Sequence, residues 1–218
     1  MTAILETRNL SIQFGGVVGV SEISISVDTG EVIGVIGANG AGKTTLMRTV
    51  MGFLPVDKGE VRFQDQSLTR LMANSRARIG IGYMPEDRKL VPSLTVEENI
   101  LLSFWATKNP KLPKRLPWVY EIIPEVTEFS ARKAMDLSGG QQKLVALARA
   151  LFCGTKLLLL DKPFEGVAPA LAQRLAEVVA DLKDQGQSVL LSESDHVHSS
   201  ELLDRLYVIE RGSVKEKK

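Results

Sequence analysis

Cysteine is almost absent from this chain of 218 residues. Because Cys153 is the one cysteine, no internal disulfide can form, which fits a reducing compartment. Cys153 ends the apolar run Ala150-Leu151-Phe152-Cys153, so we expect a buried packing residue, with a reactive thiol as the alternative. A chain of this length can bury enough surface to fold as one domain without covalent cross-links.

Long hydrophobic runs are also missing. No stretch approaches the roughly 18 apolar residues that a membrane-spanning helix requires. The first residues, Met1 to Arg8, include Glu6 and have no apolar core, so we do not expect a signal peptide. We expect a chain that is soluble when isolated and that, if it works at a membrane, docks there on a separate subunit.

Charge of one sign is not in excess. Lysine and arginine number 27 against 26 aspartates and glutamates, and the formal net charge is +1. Proteins that bind nucleic acid through counterion release need a basic surplus. We therefore expect no nucleic-acid partner.

The polarity pattern alternates between strands and helices along the chain. Short apolar or alternating runs predict strands at residues 23–27, 32–36, 60–63, 79–84, 157–160, 189–191 and 206–209. Amphipathic runs predict helices from about residue 43, over 95–105, 138–152 and 171–183, and from about residue 195. The helix at 95–105 opens with a capping box, the proline-rich residues 108–117 predict a loop, and the tail 215–218 predicts solvated charge. This alternation predicts an α/β fold with a mostly parallel sheet.

Residues 37–44 match the phosphate-loop pattern G-x-x-x-x-G-K-[ST] between a predicted strand and a predicted helix. Glycines let backbone N–H groups point at phosphates, and the helix adds the positive end of its dipole. We expect Lys43 to reach the β and γ phosphates of ATP and the Thr44 hydroxyl to hold Mg²⁺; a glycine turn without a ligand is the alternative. The residues expected around the phosphates are Gly37, Ala38, Asn39, Gly40, Ala41, Gly42, Lys43, Thr44 and Thr45.

Two further motifs are typical of anion and metal binding. Asp161 ends a buried apolar run, at the edge where parallel sheets bind ligands. We expect its carboxylate to complete the Mg²⁺ shell with Thr44; an ordinary turn is the alternative. Residues 137–142, Leu-Ser-Gly-Gly-Gln-Gln, open a helix with a serine and two glycines, which predicts a second anion site or a plain N-cap.

In their order and spacing these motifs resemble the ATP-binding subunit of an ABC transporter, over essentially the whole chain. The segments similar to the importer class typified by branched-chain amino-acid transporters are residues 83–88, 92–99, 118–121 and 165–169. The resemblance implies a single P-loop NTPase cassette over residues 1–218, with a mostly parallel core sheet and an antiparallel N-terminal β portion. It also implies a small helical subdomain at about residues 95–135 that contacts the membrane subunits.

The family resemblance also implies roles for individual residues. Phe14 would stack on adenine with Val18 beside it, and simple core packing of Phe14 is the alternative. Glu86 stands where other family members carry a glutamine that senses the γ phosphate and the metal. Two cassettes would pack head to tail, with ATP between the phosphate loop of one and the signature of a homotypic or heterotypic partner. The signature residues at that interface would be Ser138, Gly139, Gly140 and Gln141.

The chain departs from the family pattern at two positions. The family places a catalytic glutamate directly after the aspartate of the buried strand, and this chain has Lys162 there. A protonated lysine cannot accept a proton from the attacking water. Ser194 stands in the place of the switch histidine and can donate to a phosphate oxygen without carrying charge. His196 and His198, close by, are expected on a helix surface, with a phosphate ligand as the alternative.

These features predict an ATP-binding subunit that couples ATP binding and hydrolysis to import of a branched-chain amino acid or a related small solute. Separate membrane subunits would carry the solute, and the subunit would work at the cytoplasmic face of the membrane. Because of Lys162 we expect slow or no hydrolysis at its own site, unless the substitution is incidental. The alternatives are a regulatory or degenerate-site partner that binds ATP without hydrolysing it, and a P-loop kinase or nucleic-acid-linked member of the family. The residues expected at the reacting end of the triphosphate are Glu86, Asp161, Lys162 and Ser194.

Overall fold

The structure is a computed structural model that describes residues 3–15, 17–195, 197 and 199–217, without the side chains of Phe14, Val17 and Lys217. The strands are β1 (Ala3–Phe14), β2 (Val17–Asp28), β3 (Val32–Ile36), β4 (Lys58–Phe63), β5 (Gln66–Ser67), β6 (Ile81–Met84), β7 (Leu157–Asp161), β8 (Ser188–Glu193), β9 (Arg205–Glu210) and β10 (Ser213–Lys217). The helices are α1 (Lys43–Met51), α2 (Ala73–Arg78), α3 (Val96–Thr107), α4 (Leu116–Ile122), α5 (Glu125–Glu128), α6 (Gly139–Cys153) and α7 (Pro169–Asp184).

Six strands form one sheet in the order β10-β9-β3-β8-β7-β6. The neighbours from β9 to β6 are parallel, and β10 is antiparallel to β9. β3, β7 and β8 are buried along their whole length, and this explains the apolar runs at residues 32–36, 157–160 and 189–191. The prediction of a mostly parallel α/β sheet is confirmed.

A second, four-stranded sheet is antiparallel and has the order β2-β1-β4-β5. Its apolar residues share one core with α1 and with one face of the parallel sheet. Ile23 of β2, Leu46 of α1 and Leu159 of β7 are all fully buried in that core. The antiparallel N-terminal β portion is therefore confirmed, and α1 is enclosed between the two sheets.

The opposite face of the parallel sheet packs against α6 and α7. α3, α4 and α5 all contact α6, and Ile100, Val119 and Leu151 lie in their shared core. The predicted capping box at α3 is confirmed: the Thr95 hydroxyl accepts from Glu98 N at 3.1 Å, and Glu98 Oε2 accepts from Thr95 N at 2.7 Å. In the part of the chain that the structure describes, no helix is long and apolar enough to cross a membrane.

Two predicted boundaries are wrong, one at the start of β6 and one at the end of the loop before α4. The strand expected at 79–84 begins at Ile81, since Gly80 turns the chain with a φ of +103° after α2. The expected loop at 108–117 ends early. Pro113 starts a 3₁₀ turn that leads into α4, and proline is well tolerated in a first helical turn.

Two expectations near the C-terminus are also corrected. No helix starts at about residue 195: the described residues among 194–202 form bends, turns or irregular chain. The Asp195 carboxylate accepts from Val197 N at 3.0 Å, a local bond that competes with helix formation. The tail is not simply solvated charge, because β10 pairs with β9, although the side chains of Lys215 and Glu216 are exposed.

Cys153 packs at the end of α6 and is 6% exposed. Burial raises the pKa of its thiol to about 11. The thiolate is therefore scarce at neutral pH, and Cys153 behaves as the expected packing residue rather than as a nucleophile.

Candidate nucleotide-binding site

The phosphate loop joins β3 to α1 at the carboxyl edge of the parallel sheet. Two of its glycines are required by close approaches of the backbone. A Cβ on Gly37 would lie 2.2 Å from Ile209 O, and one on Gly42 would lie 2.7 Å from Gly19 O. Gly42 also has a φ of +111°, which L side chains rarely adopt. The loop can keep this shape only with glycine at both positions.

Lys43 opens α1 and is only 3% exposed. Its Nζ donates to Ala38 O at 3.0 Å and also to Gly37 O, so the ammonium lies over the loop. Burial, and then the nearby charge of Lys162, lower the pKa of Lys43. Hydrogen bonds between ions are stronger than bonds to neutral carbonyls, so an anion in the loop would stabilise this ammonium.

The amino end of α1 is open to an anion. Gly42 at the N-cap makes no side-chain hydrogen bond, and the first turn has no acidic residue. The first N–H groups of the helix therefore have no side-chain partner, and the dipole favours negative charge there. The adjoining cavity of about 450 Å³ is lined by Val18, Gly19, Asn39, Gly40, Gly42, Lys43, Thr44, Thr45, Glu86, Lys162 and Glu165. This cradle fits the phosphate chain of a nucleotide.

Asp161 ends β7 and is fully buried beside the loop. Its Oδ1 accepts from Thr44 Oγ1 at 3.2 Å and from Ser192 Oγ at 2.6 Å, and its Oδ2 accepts from Tyr83 OH at 3.2 Å. Burial raises the pKa of Asp161, and these three hydrogen bonds oppose the rise. Ser192 and Tyr83 were missed as site residues. Both lie near the carboxyl ends of the strands beside β7, a neighbourhood that the sequence alone does not show.

The oxygens of Thr44 and Asp161 are close enough to share one cation. In the described portion of the chain, no group of three or more His, Cys, Asp or Glu side chains could hold a metal ion by itself. Mg²⁺ commonly takes one or two protein oxygens and completes its shell with water and phosphate oxygens. The pair therefore fits a Mg²⁺ ion that arrives with a triphosphate. Glu86, the third expected metal residue, instead has its Oε1 at 3.0 Å from Lys162 Nζ.

Lys162 follows Asp161 with a φ of +51° and is 7% exposed. Its Nζ lies 2.9 Å from Asn39 Oδ1 and 3.1 Å from Glu165 Oε2, in addition to the Glu86 contact. Burial alone would lower the pKa of Lys162, but hydrogen bonds and charges from Glu86 and Glu165 outweigh it and raise the pKa. Lys162 therefore keeps its proton near neutral pH and cannot act as a base toward water.

Ser194 and Glu165 extend the hydrogen-bond network around Lys162. Ser194 Oγ lies 3.3 Å from Asn39 Oδ1 and 3.1 Å from Glu165 Oε2, and its single hydrogen serves one of them at a time. Burial raises the pKa of Glu165, but Lys162 and Ser194 reverse the effect, and the net pKa is lowered. Sequence reasoning gave Glu165 no role. Its position three residues after Lys162 was the signal, because an acid at that spacing can reach the ammonium.

The signature at the start of α6 is a capping box. Ser138 Oγ accepts from Gln141 N at 3.2 Å, and Gln141 Oε1 accepts from Ser138 N at 3.0 Å. Ser138 and Gly139 are exposed, and Gly140 is half-buried. None of residues 137–142 is among the described residues that line the phosphate-loop cavity. The structure of one chain does not bring the signature and the phosphate loop together.

Lys143, in the first turns of α6, ties the signature helix to the segment after β7. Its buried Nζ donates to Lys162 O at 2.9 Å and to Glu165 O at 2.6 Å, and burial lowers its pKa. Next to it, Glu193 Oε1 accepts from Phe164 N at 2.7 Å. Burial raises the pKa of Glu193 to about 7, although the Phe164 bond and the charge of Lys143 act in the opposite direction. Neither residue was predicted from sequence.

Of the two residues expected beside the adenine, the structure places one. Val18 is half exposed and lines the cavity beside the loop. The side chain of Phe14, the expected adenine partner, lies outside the described residues. His196 and His198 lie outside them as well.

Comparison with known proteins agrees with this geometry. The family model described as ABC transporter matches residues 20–165. The chain is 34% identical to the high-affinity branched-chain amino acid transport ATP-binding protein BraG of Pseudomonas aeruginosa, over 97% of this chain and 91% of that protein. It is 32% identical to the lipopolysaccharide export system ATP-binding protein LptB of Escherichia coli, over 96% of this chain and 88% of that protein.

A solved structure is similar over the same extent. The ADP conformation of MJ1267, an ATP-binding cassette of an ABC transporter, matches with a TM-score of 0.87 and 31% identity, over 100% of this chain and 92% of that one. The likeness therefore includes the phosphate loop, both sheets and the helices around α6. The chain belongs to the ABC transporter family, as an ATP-binding cassette subunit.

Proposed function

We propose that this subunit binds MgATP at its phosphate loop and uses closure of a cassette dimer to drive solute import through separate membrane subunits. The observation that carries the proposal is the arrangement of Lys43, Thr44 and Asp161 beside the open amino end of α1. It offers a triphosphate one cation, free N–H donors and two magnesium ligands. The signature lies away from this cavity, which supports its assignment to ATP bound by a partner cassette.

Within the family, we assign the subunit to import of a branched-chain amino acid or a related small solute. The likeness to BraG over nearly the whole chain supports this class. LptB is almost as similar, and its name describes export of lipopolysaccharide, so a lipid exporter is the competing assignment. In either case the subunit works at the cytoplasmic face of the membrane, where ATP is available.

A second candidate is a partner that binds ATP but does not turn it over at its own site. Lys162 favours it, because a protonated lysine stands where the family carries its catalytic glutamate. The loss of a positioned base costs on the order of 10² to 10⁴ in rate. The signature at Ser138 could still complete the site of a partner chain that carries the glutamate.

Calorimetry with MgATP tests the ATP binding on which both candidates rest. No detectable affinity would overturn both. The subunit would then be co-purified with its membrane subunits and reconstituted in liposomes. Uptake of labelled leucine that requires ATP supports the importer, while extraction of lipopolysaccharide without uptake supports the exporter. ATP binding with no phosphate release, with or without membrane subunits, supports the second candidate. The matched control is Lys43→Ala in the same complex.

A further inference from the structure

A cluster of polar side chains bridges the mouth of the phosphate loop. We call it the lysine cluster, and its members are Asn39, Glu86, Lys162, Glu165 and Ser194. The three acceptors around Lys162 Nζ come from three segments: the phosphate loop, the turn after β6 and the turn after β7. The ammonium of Lys162 therefore links these three segments. A nucleotide bound at the phosphate loop would have to enter between them.

The lysine cluster shares its cavity with the groups expected to bind phosphate. Lys43 and Thr44 line the same space as Glu86, Lys162 and Glu165. The charge of Lys162 contributes to the lowered pKa of Lys43, so the two ammonium groups repel each other. A triphosphate in the loop would therefore meet a second cation besides Lys43.

The backbone of Lys162 is held firmly. Its N–H donates to Ser192 O at 2.9 Å, and its carbonyl accepts from buried Lys143 Nζ at 2.9 Å. A φ of +51° is uncommon for a residue with a Cβ and persists only where neighbours impose it. The fold therefore fixes the point from which the lysine side chain reaches into the cavity.

The carboxylate partners are held less firmly than the lysine. The side chains of Glu86 and Glu165 are 46% and 38% exposed, against 9% for Lys162. If a phosphate displaced them, water could solvate both carboxylates, while the buried ammonium would keep an anionic partner. The exchange leaves no buried charge unpaired.

We propose that Lys162 is a direct ligand of the terminal phosphate of ATP, which it takes in exchange for Glu86 and Glu165. This proposal rests on the proposed ATP binding and adds a specificity residue to it. ADP lacks the phosphate that would displace the carboxylates, so the exchange favours ATP over ADP. A second ammonium also neutralises charge that Mg²⁺ otherwise neutralises, so the site should retain ATP when magnesium is chelated.

The test is calorimetry of ATP and ADP binding to the full chain in EDTA, with Lys162→Met as the variant. Met keeps most of the side-chain length and removes the charge. We expect ATP affinity to fall about tenfold or more and ADP affinity to change less than about twofold, as for loss of one charge-assisted hydrogen bond to the terminal phosphate. The exposed loop residue Lys111 provides the control, Lys111→Met, with no expected change.

Measurements in a second background distinguish direct contact between Lys162 and the phosphate from mere neutralisation of the two carboxylates by Lys162. Without Lys162, the carboxylates of Glu86 and Glu165 would themselves repel ATP. Lys162→Met is therefore also measured in the Glu86→Gln/Glu165→Gln background. The double variant should bind ATP more tightly than the parent because the competitors for Lys162 are gone. In that background Lys162→Met should still cost about tenfold in ATP affinity.

The outcomes separate this proposal from the proposed function. Absence of ATP binding by the parent chain, even with Mg²⁺, defeats the proposed function itself. ATP binding that Lys162→Met leaves unchanged, or that it weakens only when Glu86 and Glu165 are present, defeats the phosphate-ligand role alone. Equal losses for ATP and ADP also defeat it, because the contact would then not be with the terminal phosphate. Thermal unfolding of each variant shows that it is folded during the measurement.

Discussion

Among single residues, the ammonium of Lys162 has the largest consequence for chemistry. Glu86 and Glu165 stabilise its charged form, so under the proposed function a cation stands where an attacking water would need a base. Asp161 cannot replace that base easily, because its oxygens accept three hydrogen bonds and face Thr44. Under the proposed function, Lys162 therefore separates nucleotide binding from turnover.

Replacing Lys162 with glutamate should restore turnover. We expect Lys162→Glu to raise the rate of MgATP hydrolysis at least about tenfold, because a carboxylate at this place can polarise water. The effect should be larger with Glu86→Gln, which removes a like charge 3.0 Å from the Lys162 ammonium position. Phosphate release measures the rate, and Lys111→Glu is the control at an exposed site. An unchanged rate in both variants would show that position 162 does not limit hydrolysis.

Lys43 should control affinity rather than stability. Its partners in the structure are the carbonyls of Gly37 and Ala38, which water can satisfy if the side chain is shortened. We expect Lys43→Ala to weaken MgATP binding by about tenfold to a hundredfold, as for loss of a charged hydrogen bond. Calorimetry measures the affinity, with Lys111→Ala as the control. Full affinity in Lys43→Ala would contradict the assigned phosphate site.

Two helices of this chain begin with the same cap but should have different uses. Both α3 and α6 have a capping box, at Thr95 and at Ser138, and each satisfies N–H groups of a first helical turn. Thr95 is half-buried, whereas Ser138 is exposed and is proposed to contact a partner's nucleotide. Removing the capping hydroxyl at each helix therefore distinguishes its effect on stability from its effect on function.

Thr95→Ala and Ser138→Ala should each lower the free energy of unfolding by about 1 kcal/mol, the usual value of an N-cap. Only Ser138→Ala should also weaken the dimer that forms with MgATP, because its hydroxyl is assigned to the partner's nucleotide. Denaturant titration and light scattering with MgATP measure the two effects. Equal dimerisation of both variants would reduce the signature serine to a plain N-cap.

For the whole molecule, buried charge at the sheet edge affects stability through pH. Glu193 lies at the carboxyl end of β8, where burial raises its pKa from 4.5 to about 7. Below pH 4.5 both folded and unfolded chains hold the proton, and the group has no effect. Between pH 4.5 and about 7 the unfolded chain ionises first, so this group lowers stability as pH rises through that window.

Glu193→Gln should remove this pH dependence while keeping an oxygen that can accept from Phe164 N. We expect the variant to gain melting temperature relative to the parent as pH rises from about 5 to about 7, with no further gain above. Scanning calorimetry at matched ionic strength measures the difference. A constant difference across this range would show that Glu193 is ionised in the folded protein throughout. The exposed Glu210 of β9, changed to Gln, is the control.

Much of the fold could be predicted because the governing signals are local. The buried strands β3, β7 and β8 each contain an apolar run, and the capping box of Thr95 and Glu98 predicts the start of α3. The errors arose where local signals compete: Asp195 bonds to Val197 N in place of continuing a helix, and Pro113 starts a turn that enters α4. β10 could not be predicted, since its charged residues form a strand only by pairing with β9.

The sequence by itself determined the phosphate loop and its flanking elements, because three closely spaced glycines and a following lysine impose that geometry within a few bonds. It also showed that position 162 is a lysine. Only the tertiary structure decided what that lysine touches, since Asn39 is 123 residues away along the chain and Glu86 is 76. Parallel strands place their carboxyl ends together whatever their separation in sequence, and this is why distant polar residues meet around one cavity.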